Sequence, residues 1–127
     1  RIVNTASMAG AQGPPNMAAY AASKFAIVGL TQTASKDLAP YNIRVNAISP
    51  AFMGPGFMWD RQVELQASAG SQYFSTDPEE VSRQMINSVP MRRYGDINEI
   101  PGVVAFLLGE DSSYMTGVNL PIAGGIL

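Results

Sequence analysis

Three side chains near the start of the sequence have the types and spacing needed to move a proton: Ser7, Tyr20 and Lys24. Tyr20 and Lys24 are four residues apart in an alanine-rich segment, so on a helix they project from one face. A free phenol has a pKa of about 10 and holds its proton at neutral pH. A neighbouring ammonium favours the phenolate, which makes the phenol a better acid and base. A serine hydroxyl can meanwhile hold a substrate oxygen, so the trio suggests proton transfer at an alcohol or carbonyl oxygen.

Each of these residues also has an ordinary structural explanation. A serine at the end of a strand is a common turn former, and a Tyr-x-x-x-Lys pair occurs on many helices by chance. A serine nucleophile assisted by Lys24 is a further alternative, although Ser7 lacks a Gly-x-Ser-x-Gly elbow. The order favours proton transfer, because Ser7, Tyr20 and Lys24 follow one another closely across a predicted strand and helix.

The surrounding sequence predicts strands alternating with helices. Apolar, β-rich runs predict strands at residues 2–6, 43–48 and 118–122, and helix formers predict a long helix from residue 17 to about 38 with Asn16 as its N-cap. Strands joined by helical crossovers pair in parallel, so the predicted fold is α/β: half of a doubly wound parallel sheet, about three strands with flanking helices. Ser7 would then follow the first strand, at the sheet edge where ligands collect.

The rest of the chain gives weaker signals. Residues 51–75 are rich in Gly, Met and aromatic residues, which predicts a loop with a short helix near 57–67 that either packs in the core or contacts substrate. Asp77 is a predicted N-cap with Glu80 completing a capping box. The long helix is apolar almost all round, so we expect more than one of its faces to be covered.

The composition excludes several kinds of function. The chain is 46% hydrophobic and 14% charged, which argues against disorder, and its net charge is −2 without a Lys/Arg cluster. We therefore expect no nucleic-acid or membrane partner. The 127 residues contain no Cys and no His, so they offer no disulfide, zinc-thiolate or Ser-His site, and we expect no metal. The lack of cysteine fits a reducing compartment, and a cytoplasmic location is expected.

The ordered motifs resemble those of a classical short-chain dehydrogenase/reductase. They lie at residues 2–7, 20–24, 44–50, 90–95, 106–108 and 116–117, so the resemblance runs along the entire chain. Residues 13–17 and 54–59 are most similar to bacterial members that oxidise polyols with NAD. The resemblance implies a Rossmann-type fold and hydride transfer between a nicotinamide cofactor and a secondary alcohol or ketone. NAD is the expected cofactor, NADP is not excluded, and a 3-oxoacyl thioester reductase is the alternative within the family.

The resemblance also assigns roles to residues. Tyr20 would be the general acid/base, Lys24 would assist it and hold the nicotinamide ribose hydroxyls, and Ser7 would orient the substrate oxygen. The backbone expected to flank the nicotinamide is that of Pro50, Ala51, Phe52 and Met53. Residues 54–74 would close over the substrate. Relatives of this kind are often tetramers, which implies a homo-oligomer.

The family's glycine-rich cofactor loop is absent from these residues. Gly10 and Gly13 lack the strand-loop-helix context that cradles a pyrophosphate. We therefore expect residues 1–127 to be one partial domain, the catalytic half of a longer protein, and to be inactive alone. The alternative is a non-catalytic assembly unit.

Without the other half of the domain, the strand at 2–6 would form an exposed sheet edge. An exposed edge pairs readily with another chain, which favours tight or swapped oligomers.

Overall fold

The computed structural model describes residues 1–127 as strands and helices that alternate along the chain. The helices are α1 (Ala18–Leu38), α2 (Phe57–Ser68), α3 (Pro78–Ser88) and α4 (Pro101–Leu108). The strands are β1 (Ile2–Thr5), β2 (Val45–Pro50), β3 (Met53–Gly54), β4 (Gly95–Asp96) and β5 (Asn119–Ile122). Short 3-10 turns lie at Met8–Gly10, Ala39–Tyr41, Ile97–Glu99 and Glu110–Ser112. None of the helices combines the length and apolarity needed to cross a membrane.

The main sheet has three parallel strands in the order β1-β2-β5. Asn4 of β1 is level with Ala47 of β2, and Ile48 of β2 is level with Leu120 of β5. The central strand is buried from Val45 onward because it has a strand on each side and α1 against it. The predicted α/β fold with three parallel strands and flanking helices is confirmed. The second strand begins two residues later than predicted and continues to Pro50.

Helix α1 is held close to the end of β1 by a glycine. A Cβ atom on Gly10 would lie 2.7 Å from the backbone oxygen of Lys24, so only glycine lets the turn at Met8–Gly10 contact the helix. On the other side of α1, Phe25 and Leu30 are 47% and 62% exposed. The prediction that more than one face of this helix is covered is therefore not met within the chain.

Helix α2 packs on α3 to form a second small core. Its buried members are Trp59, Val63, Ala67, Val81 and Met85, with Phe52, Phe74, Ile86 and Tyr94 packed against them. The Trp59 ring lies 5.2 Å from the ring of Tyr94 and 5.9 Å from that of Phe52, centroid to centroid. The predicted helix near 57–67 is present, and beside it the two-residue strands β3 and β4 pair in parallel, which the sequence did not predict.

The start of α3 differs in one detail from the predicted capping box. Asp77 is the N-cap, and its side chain accepts a hydrogen bond from the backbone N–H of Glu79 at 3.2 Å. Glu80 does not reach back to the cap, because its carboxylate accepts hydrogen bonds from the Arg83 guanidinium at 2.7 and 3.1 Å. The capping-box prediction for Glu80 is wrong, and an ion pair along the helix takes its place.

Arg44, just before β2, ties distant parts of the chain together. Its guanidinium donates to the backbone oxygens of Leu107 and Gly109, at the end of α4, at 3.0 and 3.1 Å. It also donates to the backbone oxygen of Met115, in the segment leading to β5, at 3.0 Å. This fork fixes the end of α4 and the approach to β5 relative to the central strand.

Candidate active site

A cleft of about 560 Å³ lies where β1 and β2 end. The 3-10 turn after β1, the start of α1, the segment after β2 and one face of α2 form its wall. Of the predicted site residues, the wall includes Ser7, Tyr20, Ala51, Phe52 and Met53. Lys24 and Pro50 are not part of the wall and lie beside it in the chain, one turn along α1 and at the end of β2. The cleft thus occupies the position at which open α/β sheets bind ligands.

The two hydroxyl groups in the cleft are both free to act. Ser7 is 9% exposed, and its Oγ accepts a hydrogen bond from the backbone N–H of Ala9 at 3.1 Å. That contact uses a lone pair of the oxygen and leaves its O–H available as a donor. Tyr20 is 43% exposed, and its hydroxyl makes no hydrogen bond within the chain. Each hydroxyl can therefore bind an oxygen of a molecule in the cleft.

Lys24 is held in place beside Tyr20. Its Nζ lies 5.7 Å from the centroid of the Tyr20 ring and donates a hydrogen bond to the backbone oxygen of Thr5 at 3.2 Å. An ammonium group has three N–H donors, so two remain after this contact. The helix spacing and the tether to β1 together keep a positive charge next to the phenol.

The segment after β2 forms a rigid wall between two cavities. Ala51, Phe52 and Met53 line the large cleft on one side and a cavity of about 150 Å³ on the other. The Ala51 N–H donates to the backbone oxygen of Ile122 at 3.0 Å, and the Phe52 oxygen accepts from the Gly95 N–H at 2.8 Å. These bonds fix the backbone of a mostly apolar segment that lines the same cleft as Ser7 and Tyr20.

These features fit one end of a nicotinamide cofactor. The two unused donors of Lys24 suit a ribose diol, and the fixed segment at Ala51–Met53 offers an apolar contact for a nicotinamide ring. No Gly-x-Gly-x-x-Gly sequence of the kind that cradles a pyrophosphate between a strand and a helix occurs in residues 1–127.

Sequence reasoning misplaced Asn16. The N-cap of α1 is Met17, without a side-chain cap, and Asn16 has a left-handed φ of 66°. Its Nδ2 donates to Gln66 Oε1 at 2.8 Å and to Ser71 Oγ at 3.0 Å, so the amide is used by distant partners instead of the helix end. The N-cap prediction is wrong. The available signal was the position of Asn16 in a Pro-rich turn, where asparagine tolerates left-handed backbone.

Gln66 of α2 is hydrogen-bonded to the loop before α1, and the sequence did not predict this contact. It is 6% exposed, and its Nε2 donates to the backbone oxygen of Pro15 at 3.1 Å. With the bond from Asn16, both ends of the Gln66 amide are used within the chain. We call these two contacts the Asn16–Gln66 clasp. The clasp joins α2 to the loop that leads into Tyr20.

Helix α2 covers the cleft with one face and packs in the core with the other. The face toward the cleft carries Met58, Arg61, Gln62, Leu65 and Gln66, at helical spacing. The core face carries Trp59, Val63 and Ala67. Trp59 is 6% exposed and lies outside the cleft wall, so it is a core anchor. Of the Met and aromatic residues of this segment, Met58 faces the cleft and Trp59 the core, whereas Phe57 and Tyr73 are exposed.

An ion pair beside the smaller cavity supports the wall segment. Arg93 donates to both carboxylate oxygens of Glu99, at 2.8 and 3.0 Å, and the Asp96 N–H donates to the same carboxylate at 2.8 Å. These hydrogen bonds, first of all those from Arg93, lower the pKa of Glu99 from 4.5 to about 2. The Glu99 side chain and Asp96 form a capping box at the start of the 3-10 turn before α4.

Known proteins resemble this chain along almost all of its length. A family model described as enoyl-(acyl carrier protein) reductase matches residues 1–127. The crystal structure of an NAD+-bound xylitol dehydrogenase is 82% identical, with a TM-score of 0.97, covering 98% of this chain and 48% of that one. Levodione reductase of Leifsonia aquatica is 40% identical over 124 residues, 98% of this chain and 43% of that protein.

A further relative is a 3-oxoacyl-(acyl-carrier-protein) reductase of Staphylococcus epidermidis, 34% identical over 125 residues, which are 98% of this chain and 45% of that protein. The chain thus spans less than half the length of each of these three relatives. Because the family match extends from the first residue to the last, and Ser7 and Tyr20 line one cleft of a parallel α/β fold with Lys24 one helical turn after Tyr20, the chain belongs to the short-chain dehydrogenase/reductase family.

Proposed function

We propose that this chain carries the catalytic residues of an oxidoreductase that moves a hydride between a nicotinamide cofactor and a secondary alcohol or ketone. The observation that carries the proposal is the position of the Tyr20 hydroxyl: unpaired, in the cleft that Ser7 also lines, with Lys24 Nζ 5.7 Å from its ring. A phenol, a hydroxyl donor and a fixed cation are the groups that proton transfer at a carbinol oxygen needs.

The residues divide the work between them. In alcohol oxidation the substrate hydroxyl gives its proton to the Tyr20 oxygen, and in carbonyl reduction the same oxygen returns it. The free O–H of Ser7 donates to the substrate oxygen and orients it. The Lys24 ammonium stabilises negative charge on the phenol oxygen, and its remaining donors hold the ribose diol. A bound nicotinamide would supply the hydride acceptor for the carbinol carbon in oxidation, or the hydride donor for the carbonyl carbon in reduction.

We further propose that the cofactor is NAD and the substrate a polyol such as xylitol. The support is the 82% identity to the NAD+-bound xylitol dehydrogenase structure. The cleft also has both apolar walls and polar side chains on α2, which suits a carbon chain with several hydroxyls. Measuring NAD and NADP reduction with xylitol tests both points, and turnover with NADP alone would contradict the cofactor assignment.

The test of the proposed chemistry is Tyr20→Phe in the native protein at its full natural length. Because general acid–base catalysis contributes about 10²–10⁴-fold, we expect turnover to fall at least about 100-fold. Cofactor binding should persist and can be followed by the fluorescence of Trp59, which packs on the cleft residue Phe52. Tyr41→Phe, an exposed tyrosine outside the cleft, is the matched control. Retained turnover in Tyr20→Phe would overturn the proposal.

The second candidate is reduction of a 3-oxoacyl thioester. It is supported by the 34% identity to a 3-oxoacyl-(acyl-carrier-protein) reductase. Comparing rates on xylitol and on an acetoacetyl thioester separates the two candidates. No nicotinamide binding at millimolar concentration by the native protein would favour a non-catalytic assembly role over both.

Three broader proposals accompany the activity. Residues 1–127 act as the catalytic half of a domain whose pyrophosphate cradle lies elsewhere in the protein. The intact mass of the native protein tests this proposal.

The exposed apolar side of α1, with Phe25 and Leu30, supports a homo-oligomer, and a monodisperse monomer in sedimentation would contradict it. Use of a nicotinamide pool supports a cytoplasmic location, which cell fractionation tests.

A further inference from the structure

The face of α2 toward the cleft is set by the core on its other side. Trp59 and Val63 are 6% and 5% exposed in the core shared with α3, so the helix cannot rotate without exposing them. The residues facing the cleft are fixed as a consequence. The cleft side of α2 is therefore a built surface that a bound molecule meets in one orientation.

The polar side chains on the cleft side of α2 differ in how many of their hydrogen-bonding groups are already paired within the chain. Both ends of the Gln66 amide are used by the Asn16–Gln66 clasp. Arg61 is largely exposed, and its guanidinium lies 3.9 Å from the Glu64 carboxylate, which offsets its charge. Gln62 is half-buried in the cleft wall, and its side chain makes no hydrogen bond within the chain. Its amide is the uncommitted neutral polar group of α2 in the cleft.

We propose that Gln62 determines selectivity for polyols by binding hydroxyl groups of the substrate away from the reacting carbon. The inference rests on the proposed function. A primary amide offers an acceptor oxygen and two N–H donors, so it can pair with adjacent hydroxyls, each of which both donates and accepts. Ser7 and Tyr20 hold the reacting oxygen, and the Gln62 amide binds a neutral diol on the remaining chain.

The test is Gln62→Leu in the native protein at its full natural length, with xylitol and 2-butanol as substrates. Each lost hydrogen bond between neutral groups lowers affinity severalfold, so losing two lowers kcat/KM for xylitol about tenfold or more. We expect the change mainly in KM, since proton transfer at Tyr20 is untouched. 2-Butanol lacks the second hydroxyl, so its kcat/KM should be unchanged, which also shows that the variant is folded.

Two further variants sharpen the experiment. Gln72→Leu makes the same change at an exposed position outside the cleft wall and should leave both substrates unaffected. Gln62→Glu keeps an acceptor and loses the donors, so its xylitol to 2-butanol ratio should fall between those of the native protein and Gln62→Leu.

The outcomes separate this inference from the proposed function. A native protein that oxidises both alcohols, with the ratio unchanged in Gln62→Leu, overturns the role of Gln62 and leaves the activity standing. An equal fall for both substrates shows a general structural effect and also overturns it. A native protein that oxidises neither alcohol overturns the polyol substrate and this inference with it, and the acetoacetyl thioester then tests whether the oxidoreductase activity stands.

Discussion

Glu99 accepts three hydrogen bonds, two from the Arg93 guanidinium and one from the Asp96 N–H. Since these donors favour the ionised carboxyl, its pKa falls to about 2 in the folded protein, from 4.5. A carboxyl whose pKa is lower in the folded state stabilises that state above its unfolded pKa. The contribution is lost as the pH falls from about 4.5 toward 2.

Replacing this carboxyl by an amide, in Glu99→Gln, tests its contribution to stability. The variant should have a lower free energy of unfolding at pH 7 than the native protein, and the difference should shrink as the pH falls through that window. Urea unfolding at pH 7, 4.5 and 3 measures it. A difference that is the same at pH 7 and pH 3 would show that the ionised carboxyl is not responsible.

Between elements, the contact of the Met8–Gly10 turn with α1 brings Ser7 to Tyr20. The turn approaches the helix so closely that a Cβ on Gly10 would lie 2.7 Å from the Lys24 oxygen and 3.3 Å from Val28 Cγ2. The first of these neighbours is helix backbone, which cannot move aside. Geometry at the site therefore depends on a residue that carries no reactive group.

We expect Gly10→Ala to push the turn away from the helix. Overpacking of this kind costs about 1–3 kcal/mol of stability, and displacing Ser7 should lower kcat/KM about tenfold or more, because catalysis is sensitive to small misplacements. Gly13→Ala is the control, since nothing lies within 4 Å of its would-be Cβ. Unfolding curves and steady-state rates measure both effects, and a Gly10→Ala variant as stable and active as the control would contradict this account.

Elements with strong local signals were predictable from the sequence. The helix formers around Tyr20 and the apolar β-rich run of β2 specify their own structure, and helical spacing alone puts Tyr20 and Lys24 on one face. The two-residue strands β3 and β4 were not predictable, because they are too short for any periodicity. Their pairing depends on contacts between segments about 40 residues apart.

The two wrong capping predictions concern side chains that form hydrogen bonds with partners other than the helix end. Asn16 has the residue type of an N-cap, but its amide bonds to Gln66, 50 residues away. Glu80 has the spacing of a capping box, but Arg83 one turn further on takes its carboxylate. In each case the predicted hydrogen bond was to the backbone at the helix start. The observed bond goes instead to a side chain elsewhere, Gln66 for Asn16 and the charged Arg83 for Glu80.

For the whole molecule, Arg44 joins parts that the sequence separates widely. Its hydrogen bonds reach the end of α4 and the approach to β5, more than 60 residues downstream. Backbone carbonyls at a helix end lack partners within the helix, and the guanidinium shares those of Leu107 and Gly109 with the Ser112 hydroxyl. The planar fork can serve several carbonyls at once, which an ammonium cannot do in the same geometry.

Arg44→Lys should therefore lower the free energy of unfolding by about 1–3 kcal/mol, because part-buried carbonyls lose a charged hydrogen-bond donor. Arg61→Lys is the control, because Arg61 and its ion-pair partner Glu64 are both exposed and lie 3.9 Å apart. This substitution should leave the free energy of unfolding nearly unchanged. Denaturant unfolding of both variants in the native protein tests this. Equal stability of the two variants would contradict a structural role for the fork.

The division of α2 into a core face and a cleft face has a consequence for how substrate range can change over generations. Positions 58, 61, 62 and 65 face the cleft, while the anchoring of the helix depends on Trp59, Val63 and Ala67. Mutations at the first set can therefore accumulate without loss of the fold. A combinatorial library confined to those four positions should yield mostly folded variants, and new specificities can be selected from it on the same scaffold.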